Sequence, residues 1–376
     1  MPEQHMVQTD PLISKVMRTP RTVDIEITSR CNQRCRYCYF FNNPAVIYQE
    51  LSTDEWLKFF DELGFLGVMN VTLAGGEPFM RADLSRLLDG IVHNRMRFSL
   101  LSNGGLIDDE LAAFIANTHR CEYVQVSVDG SCAKTHDSCR GKGSFTGAIR
   151  GIRTLQRHQV NVAVRVTIHR NNVNDLENTA HLLLEELSLA NFSTNSAGYL
   201  GTCRLNADDV LLNLQERKVA MATLLRLSEK YPGRISATAG PLADGHTWLR
   251  MEEARAQGAQ AFPNGGHLTA CNCTSKKIAV RADGTIVPCT MLAHMELGRI
   301  NQDPLQEVWQ HSLALNQLRR RHIIPLTGFD FCAGCSYIPY CTGNCPGLAY
   351  TLTNTVDHPS PDACLRRFLE EGGAIV

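Results

Sequence analysis

The chain has 376 residues, 44% hydrophobic and 20% charged side chains, and a formal net charge of -1 at pH 7. This composition is typical of a globular protein with room for one large domain and one smaller domain. The near-neutral balance gives no bulk attraction to nucleic acid or to an acidic membrane surface, so we expect neither partner.

No run of about 18 apolar residues occurs along the chain. The N-terminal residues 1–10 have neither a basic start nor an apolar core, so they do not resemble a targeting segment. We therefore expect a cytoplasmic protein. Fifteen cysteines in that compartment favour metal binding over disulfides.

Short apolar runs alternate with longer helical patterns between residues 22 and 240. The predicted strands are Thr22–Thr28, Asn70–Ala74, Phe98–Ser102, Tyr123–Val128, Val160–Ile168 and Asn191–Ala197. The predicted helices are Thr53–Leu63, Arg81–His93, Asp108–Asn117, Ser144–His158 and Asp175–Leu187. This alternation indicates parallel β/α units, and six of them predict a barrel or part of one. Catalytic residues of such folds lie at the C-terminal ends of the strands.

The remaining chain divides by composition. Residues 1–21 form an N-terminal segment before the barrel, which spans 22–240. Residues 241–266 contain loop signals around one helical stretch, so they predict a linker. Residues 267–370 form a cysteine-rich C-terminal domain.

Three cysteines, Cys31, Cys35 and Cys38, directly follow the first predicted strand at CxxxCxxC spacing. Three thiolates are one too few to close a four-iron cluster, so one iron stays free to bind and activate a small molecule. Structural zinc sites close with four protein ligands, usually as two separated pairs. A chance grouping in a cysteine-rich chain is the alternative.

A second group of cysteines lies near the C-terminus. Its members are Cys271, Cys273, Cys289, Cys332, Cys335, Cys341, Cys345 and Cys364. Eight thiolates suffice for two fully ligated four-iron clusters. A zinc ribbon built from Cys332, Cys335, Cys341 and Cys345 is the alternative, and it leaves the other four without a role unless a second zinc is present.

These motifs together resemble those of a radical SAM enzyme with a C-terminal SPASM domain, over roughly residues 20–370. The first motif, CxxxCxYC, is followed by the aromatic Tyr39; the second is Cx2Cx5Cx3C, preceded by Gly284-x4-Cys289. The resemblance implies an α/β fold, a partial (β/α)6 TIM barrel of the radical SAM type, followed by a small SPASM domain that binds two auxiliary Fe–S clusters.

The resemblance also implies the cofactors: three [4Fe-4S] clusters and S-adenosylmethionine (SAM). Cys31, Cys35 and Cys38 would hold the cluster that binds SAM. One electron from a reduced flavodoxin or ferredoxin would release a 5′-deoxyadenosyl radical, which abstracts a hydrogen atom from substrate. The residues that the resemblance assigns to cofactor binding are Tyr37, Gly75, Gly76, Glu77, Pro78, Ser102, Asn103, Ser127, Asp129 and Arg140.

Among these, the Gly75–Pro78 loop would bind the methionine amino group, and Ser102 and Asn103 would lie near the ribose. Arg140 would pair with the methionine carboxylate, which suits a guanidinium. Ser102 and Asp129 also have a plain alternative, since such residues end strands and cap turns.

In the C-terminal domain, the resemblance places Cys271, Cys289 and Cys345 on an inner auxiliary cluster. It places Cys332, Cys335, Cys341 and Cys364 on an outer one. Cys273 is the natural fourth inner ligand, but a CxC pair strains to reach two irons of one cubane. An inner cluster with one open iron therefore remains an alternative.

SPASM enzymes mostly modify peptides or protein side chains, so the resemblance predicts oxidative modification of a ribosomally made precursor peptide. The alternatives are an oxidoreductase acting on a small molecule or cofactor precursor, and protein oxidation of the anaerobic sulfatase-maturase type. Thr290, after Cys289, weighs against the latter, which would be expected to have an acidic residue there. A third alternative is an electron carrier or zinc scaffold without catalytic activity. It is disfavoured because such a protein does not need the three-cysteine motif or Glu77.

Two further features concern the substrate. The C-terminal stretch from Tyr337 to Cys364 resembles maturases of SynChlorMet-type peptide cassettes. Only about 20 residues precede the first strand, too few for a leader-binding winged helix, so we expect a separate recognition protein or leader-independent binding. Thr290 and Tyr199 are predicted near the barrel mouth as candidate pocket residues of the catalytic site, rather than as assigned catalysts.

Overall fold

The computed structural model describes residues 16–40, 49–269, 271 and 274–375. Its strands are β1 (Thr22–Thr28), β2 (Asn70–Gly75), β3 (Arg97–Ser102), β4 (Cys121–Ser127), β5 (Val162–Ile168), β6 (Phe192–Ser196), β7 (Ile235–Ala237), β8 (Lys277–Val280), β9 (Thr285–Val287) and β10 (Gly298–Arg299). They form one sheet in the order β10-β9-β8-β1-β2-β3-β4-β5-β6-β7. In the described residues β7 and β10 are therefore sheet edges, and the barrel is open.

The helices that cover this sheet and build the C-terminal region are α1 (Thr53–Phe65), α2 (Leu84–His93), α3 (Asp109–Asn117), α4 (Ala133–Arg140), α5 (Ser144–Arg157), α6 (Leu176–His181), α7 (Ala207–Val210), α8 (Leu214–Lys230), α9 (Pro241–Ala256), α10 (Leu305–His311), α11 (Leu313–Arg319), α12 (Pro346–Thr353) and α13 (Leu365–Glu370). Helix α1 begins at a capping box, in which the side chains of Ser52 and Glu55 each bond the other's backbone N–H. None of the helices in the described ranges is long and apolar enough to cross a membrane.

The two faces of the sheet differ in chemistry because successive side chains of a strand point to opposite sides. Val23, Ile25 and Ile27 of β1 are fully buried in the core beneath the helices. Asp24 and Glu26 alternate with them and therefore face the concave side, which we call the lumen. The apolar layer stabilises the fold, and the polar lumen is left to function.

The predicted partial barrel is confirmed. All six predicted strands are strands, with ends within two residues of those observed, and they pair in parallel in chain order. The structure adds β7 beyond β6, and β8 pairs in parallel with the free side of β1. These short strands were not predicted because each has only three or four residues, too few to show a period.

The predicted linker contains α9, which packs against α8 and against β6 and β7. Trp248 and Met251 of α9 share a small apolar cluster with Tyr337, Tyr340 and Phe368 of the C-terminal region. The segment thus joins the barrel to the cysteine-rich region through side-chain packing.

Candidate cofactor and metal sites

The loop with the first three cysteines lies against the end of β2. Gly76 N donates to Thr28 O at 2.8 Å, and Glu77 N donates to Arg30 O at 2.8 Å. A Cβ on Gly76 would overlap the Arg30 carbonyl oxygen, and a Cβ on Gly75 would overlap that of Thr28. The two glycines are therefore required by the close approach of two backbones. This contact sets the position of the cysteine loop relative to the barrel.

Two side chains donate towards the sulfurs of this loop. Asn103 Nδ2 lies 4.0 Å from Cys31 Sγ, and Arg140 Nη1 lies 3.9 Å from Cys35 Sγ. Burial raises the pKa of Cys31 to about 11 and also raises that of Cys35, so both thiols hold their protons until a metal displaces them. Donors beside sulfur are the environment that stabilises an anionic iron–sulfur cluster. The donor set thus fits a cluster, and no three ligands in the described residues converge on a single metal ion.

The Glu77 carboxylate ties this loop to the end of β3. Its Oε1 accepts from Ser102 Oγ at 2.8 Å and from Phe79 N at 3.3 Å, and its Oε2 accepts from Asn103 N at 2.7 Å. The residue is 1% exposed, and burial raises its pKa to about 7. Since Oε2 uses one of its two lone pairs, it can still accept from an ammonium group. Glu77 as a cofactor ligand therefore stays a prediction.

A buried ion pair lies at the end of β4. Asp129 is fully buried and accepts from Arg140 Nε, from the Tyr37 hydroxyl and from Thr167 N. Burial opposes the charge on Asp129, but Arg140 together with His136 and His169 outweighs it and holds the pKa of that carboxyl below its usual range. The Arg140 guanidinium lies over the Tyr37 ring, with 5.4 Å to the ring centroid. Arg140 thus has one end on Asp129 and the other on Cys35, and its predicted pairing with a methionine carboxylate stays a prediction.

Two buried histidines lie behind this pair. His136 Nδ1 accepts from Asp129 N at 3.1 Å, and His169 stacks on Tyr37 with ring centroids 5.4 Å apart. Burial lowers the pKa of each to about 4, so both rings are neutral near neutral pH. They add a second packed layer that fixes Asp129 and Tyr37.

The other assigned residues lie at the same end of the barrel. Pro78 begins a short 3-10 helix after β2, and half-buried Ser127 ends β4. Asn103 Nδ2 donates to Asn32 Oδ1 at 2.7 Å, which joins β3 to the cysteine loop. The ten assigned residues therefore surround one region at the carboxyl ends of β1 to β4, where catalytic groups of such folds lie.

Four of the C-terminal cysteines lie together. Cys332, Cys335, Cys341 and Cys364 line one cavity. Burial raises the pKa of Cys332 to about 11, and its three neighbouring thiols add to that rise. Four thiols that line one cavity among apolar side chains suit a four-iron cluster, which is larger than a single ion and takes one cysteine on each iron. The structure groups the same four that were assigned to an outer cluster, and their role as ligands stays a prediction.

Cys271, Cys289 and Cys345 form the other group. Burial raises the pKa of Cys345, and the neighbouring Cys289 and Cys271 thiols contribute to that rise. Cys273, the predicted fourth inner ligand, lies outside the described residues. The number of ligands at this inner group is accordingly still open between three and four.

The two predicted pocket residues lie where the barrel meets the cysteine-rich region. Thr290 begins a 3-10 helix directly after Cys289, and its hydroxyl hydrogen-bonds with Tyr39. The Tyr199 carbonyl accepts from Thr351 Oγ1 of α12 at 2.6 Å, and Arg204 lies over its ring. Their position at the mouth of the lumen and their contact with a substrate stay predictions.

Sequence analysis did not single out the ionisable residues inside the lumen. Glu26 on β1 and Arg165 on β5 alternate with apolar residues that pack in the core. Burial raises the pKa of Glu26 to about 8. The available signal was a charged residue at an alternate position of an otherwise apolar strand, as in Ile25-Glu26-Ile27 and Val164-Arg165-Val166.

Two family models match the chain. The Radical SAM superfamily matches residues 25–183, and the SPASM iron-sulfur cluster-binding domain matches residues 271–345. Fe-coproporphyrin III synthase of Methanosarcina barkeri is 30% identical over 85% of this chain and 81% of its own length. PqqA peptide cyclase of Ruegeria pomeroyi is 28% identical over 90% of this chain and 87% of its own. Mycofactocin maturase MftC of Mycolicibacterium smegmatis is 26% identical over 90% of this chain and 81% of its own length.

Solved structures have the same fold. Streptococcus suis SuiB bound to its precursor peptide SuiA superposes with a TM-score of 0.71 at 14% identity, over 93% of this chain and 77% of that one. The enzyme anSMEcpe with bound AdoMet superposes with a TM-score of 0.68 at 17% identity, over 93% of this chain and 96% of that one. The cysteine loop, the open barrel and both family models agree, and the chain therefore belongs to the radical SAM superfamily and carries a SPASM domain.

Proposed function

We propose that this radical SAM/SPASM enzyme oxidatively modifies a ribosomally made precursor peptide. One of its relatives, PqqA peptide cyclase, is named for a peptide substrate, and another is named as a maturase; each matches 90% of this chain. Fe-coproporphyrin III synthase, at 30% identity, supports a tetrapyrrole as the second candidate substrate. The charges of the lumen favour the first.

The enzyme binds SAM at a [4Fe-4S] cluster and holds auxiliary Fe–S clusters in its SPASM domain. When reduced, the cluster-bound SAM supplies a 5′-deoxyadenosyl radical that abstracts a hydrogen atom. We propose that Cys31, Cys35 and Cys38 hold that cluster and that Asn103 and Arg140 donate to its sulfurs. Asp129 and Tyr37 hold Arg140 in place for this contact.

The observation that carries the proposal is the small number of unpaired cations in the lumen. Coproporphyrin is a planar molecule with four carboxylates, so a site for it calls for several free cationic groups. Lys277 pairs with Asp24, and Arg281 pairs with Asp283. Of the lumen cations in the described residues that are not exposed, this leaves Arg165 alone without a carboxylate. One cation suits a peptide with one acidic group better than a tetra-acid.

The open barrel also supports a peptide. In the described part of the chain the sheet ends at β7 on one side and at β10 on the other, and we propose that an extended chain enters the lumen between these two edges. We propose that Thr290 and Tyr199 lie beside this entry and contact the bound peptide. Hydrogen abstraction would then occur at a carbon held over the barrel mouth.

The test uses the anaerobically reconstituted enzyme, SAM, a strong reductant and the precursor peptide encoded beside this gene, with any separate recognition protein. Mass spectrometry is expected to show loss of two hydrogens, or deuterium uptake from solvent. Thr290→Ala and Tyr199→Phe should lower the rate of peptide modification relative to the parent. An unmodified peptide together with turnover of an iron coproporphyrin would refute the proposal and establish the tetrapyrrole class.

A further inference from the structure

Arg165 lies in the middle of the lumen wall. Val164, Val166 and Ile168 of β5 are buried in the core, so Arg165 points to the opposite, concave face. Its backbone pairs with Ser127 on β4 and with Ser193 on β6. Arg165 is thus level with Ser127, at the depth where the predicted cofactor site begins.

The Arg165 guanidinium lacks a counter-charge. Its Nε is buried and has no hydrogen-bond partner among the residues that the structure describes. Within the described ranges no carboxylate lies within salt-bridge distance of it, whereas Lys277 pairs with Asp24, and Arg281 pairs with both Asp283 and Glu296. Burial lowers the pKa of Arg165, and the Tyr123 phenol alone opposes that effect.

A half-buried cation without a partner is costly to the fold, since it loses water and gains no attraction in return. A second polar atom on the same face also lacks a partner: Asn195 Oδ1 is buried and accepts no hydrogen bond from the described part of the chain. Asn195 is paired with Thr167, two residues beyond Arg165 on β5. A donor and an acceptor are therefore left open side by side, which is the pattern of a site completed by a polar ligand.

We propose that Arg165 anchors a carboxylate of the substrate inside the lumen. A guanidinium binds a carboxylate through two parallel N–H donors, which fixes both the position and the orientation of the bound group. On a peptide the carboxylate is either an Asp or Glu side chain or the C-terminus. Asn195 Oδ1 then accepts from a backbone N–H of the same residue. This inference rests on the proposed peptide substrate and narrows it to a peptide with an acidic group at or near the modified position.

The first experiment measures peptide modification by the parent enzyme, Arg165→Gln and Arg165→Lys, with exposed Arg97→Gln on β3 as the matched control. Loss of one charge-assisted contact is expected to raise KM about 10- to 100-fold in Arg165→Gln, with kcat changed much less. Arg165→Lys should restore part of the affinity, and Arg97→Gln should match the parent. Equal KM values for Arg165→Gln and the parent would overturn the proposal.

The second experiment changes the peptide. Each acidic residue is replaced by its amide in turn, and a C-terminal amide is made separately, so that the two sources of the carboxylate are distinguished. The peptide that lacks the anchored carboxylate should have the same raised KM with the parent enzyme as the unmodified peptide has with Arg165→Gln. With Arg165→Gln, the KM values of the two peptides should be equal, because the contact is already lost. If every amide peptide keeps the parent KM, the proposal is wrong.

Two readouts separate this role from others. The affinity for SAM should be the same in Arg165→Gln as in the parent, because the proposal places Arg165 on the substrate. A loss of SAM affinity would instead assign Arg165 to the cofactor and refute the proposal. The Tm of the substrate-free variant should equal or exceed that of the parent, since an uncompensated charge has been removed. A marked fall in Tm would indicate a structural role instead.

Failure of the proposed function gives a different result. If the parent modifies no peptide, binding of N-acetylglutamate α-amide is measured as a rise in Tm of the parent that Arg165→Gln lacks. Such a rise would keep the carboxylate anchor while the peptide substrate is abandoned. No rise in the parent would overturn both.

Discussion

Glu26 should make this fold less stable as pH rises, and Glu26→Gln should remove the effect. Glu26 lies on the lumen face of β1 and is 5% exposed. Burial raises its pKa from 4.5 to about 8, partly opposed by Arg281 and reinforced by Asp283, Asp24 and Cys289. Unlike a salt-bridged carboxylate, this group is therefore neutral in the folded state under conditions where the unfolded chain ionises it.

The sign and size follow from linkage. Below the unfolded pKa both states are protonated, and Glu26 costs nothing. Above it the unfolded chain releases the proton while the folded chain retains it, so stability falls until pH passes the folded pKa. The accumulated cost is about 2 kcal/mol at about pH 6 and about 4 kcal/mol at about pH 8, as upper values. The difference that a pH change exposes is about 2 kcal/mol, or a few degrees in Tm.

The assay compares anaerobic Tm values of the parent and Glu26→Gln at these two pH values. Exposed Glu110→Gln on α3 serves as the control, because its side chain is in water in both states. The Tm advantage of Glu26→Gln over the parent is expected to widen from the lower to the higher pH, while Glu110→Gln tracks the parent. The Tm difference between Glu26→Gln and the parent is taken at each pH, and the two differences are then compared. This comparison cancels any effect of pH on cluster loss that the two proteins share. Parallel pH profiles for the parent and Glu26→Gln would refute the reasoning.

Three further predictions concern the cofactor and metal sites. Asp129→Asn leaves Arg140 buried without its counter-charge and should cost about 3–5 kcal/mol in unfolding experiments; a loss under about 1 kcal/mol would contradict the buried ion pair. Gly76→Ala places a Cβ on a backbone carbonyl oxygen and should lower the iron content and SAM affinity, whereas Gly328→Ala, which meets nothing, should leave both unchanged. Cys332→Ala should remove about four irons per chain, and an unchanged iron count would exclude an outer cluster at that cavity.

The barrel was predictable because each of its strands is a short apolar run bounded by turn residues, and such runs need no knowledge of distant contacts. β1 was predicted with both ends correct. α4 was missed because its Ala133–Arg140 sequence is polar and shows little apolar periodicity. The end of α6 was predicted as a regular helix, yet it widens into a π-helix over Leu182–Glu186. That change arises from local packing, which a pattern of residue types does not encode.

Parts of the candidate site were likewise predictable from the sequence, and other parts were not. Cysteine spacing within the chain grouped Cys332, Cys335, Cys341 and Cys345 in one run, because residues so close in sequence must lie close in space. The separation of Cys345 from the other three came from the family resemblance. Membership of Cys364 came from the family resemblance, and the structure brings it to the same cavity. The contact of Arg140 with both Asp129 and Cys35 was not predictable, since it joins segments about a hundred residues apart. The isolation of Arg165 was not predictable either, because the lack of a partner is a property of the whole lumen.

Those lumen charges bear on how a substrate is oriented. At neutral pH burial keeps Glu26 protonated, Asp24 is neutralised by Lys277, and Arg165 contributes the one uncompensated charge of these groups. An acidic substrate group is therefore attracted to the β5 wall and meets no anion on the β1 wall. The cysteine loop and the glycines Gly75 and Gly76 lie at the β1 and β2 side of the barrel. If Arg165 anchors the carboxylate, the carbon that loses hydrogen must extend from the β5 wall back towards β1, so the separation of anchor and cofactor selects which carbon reacts.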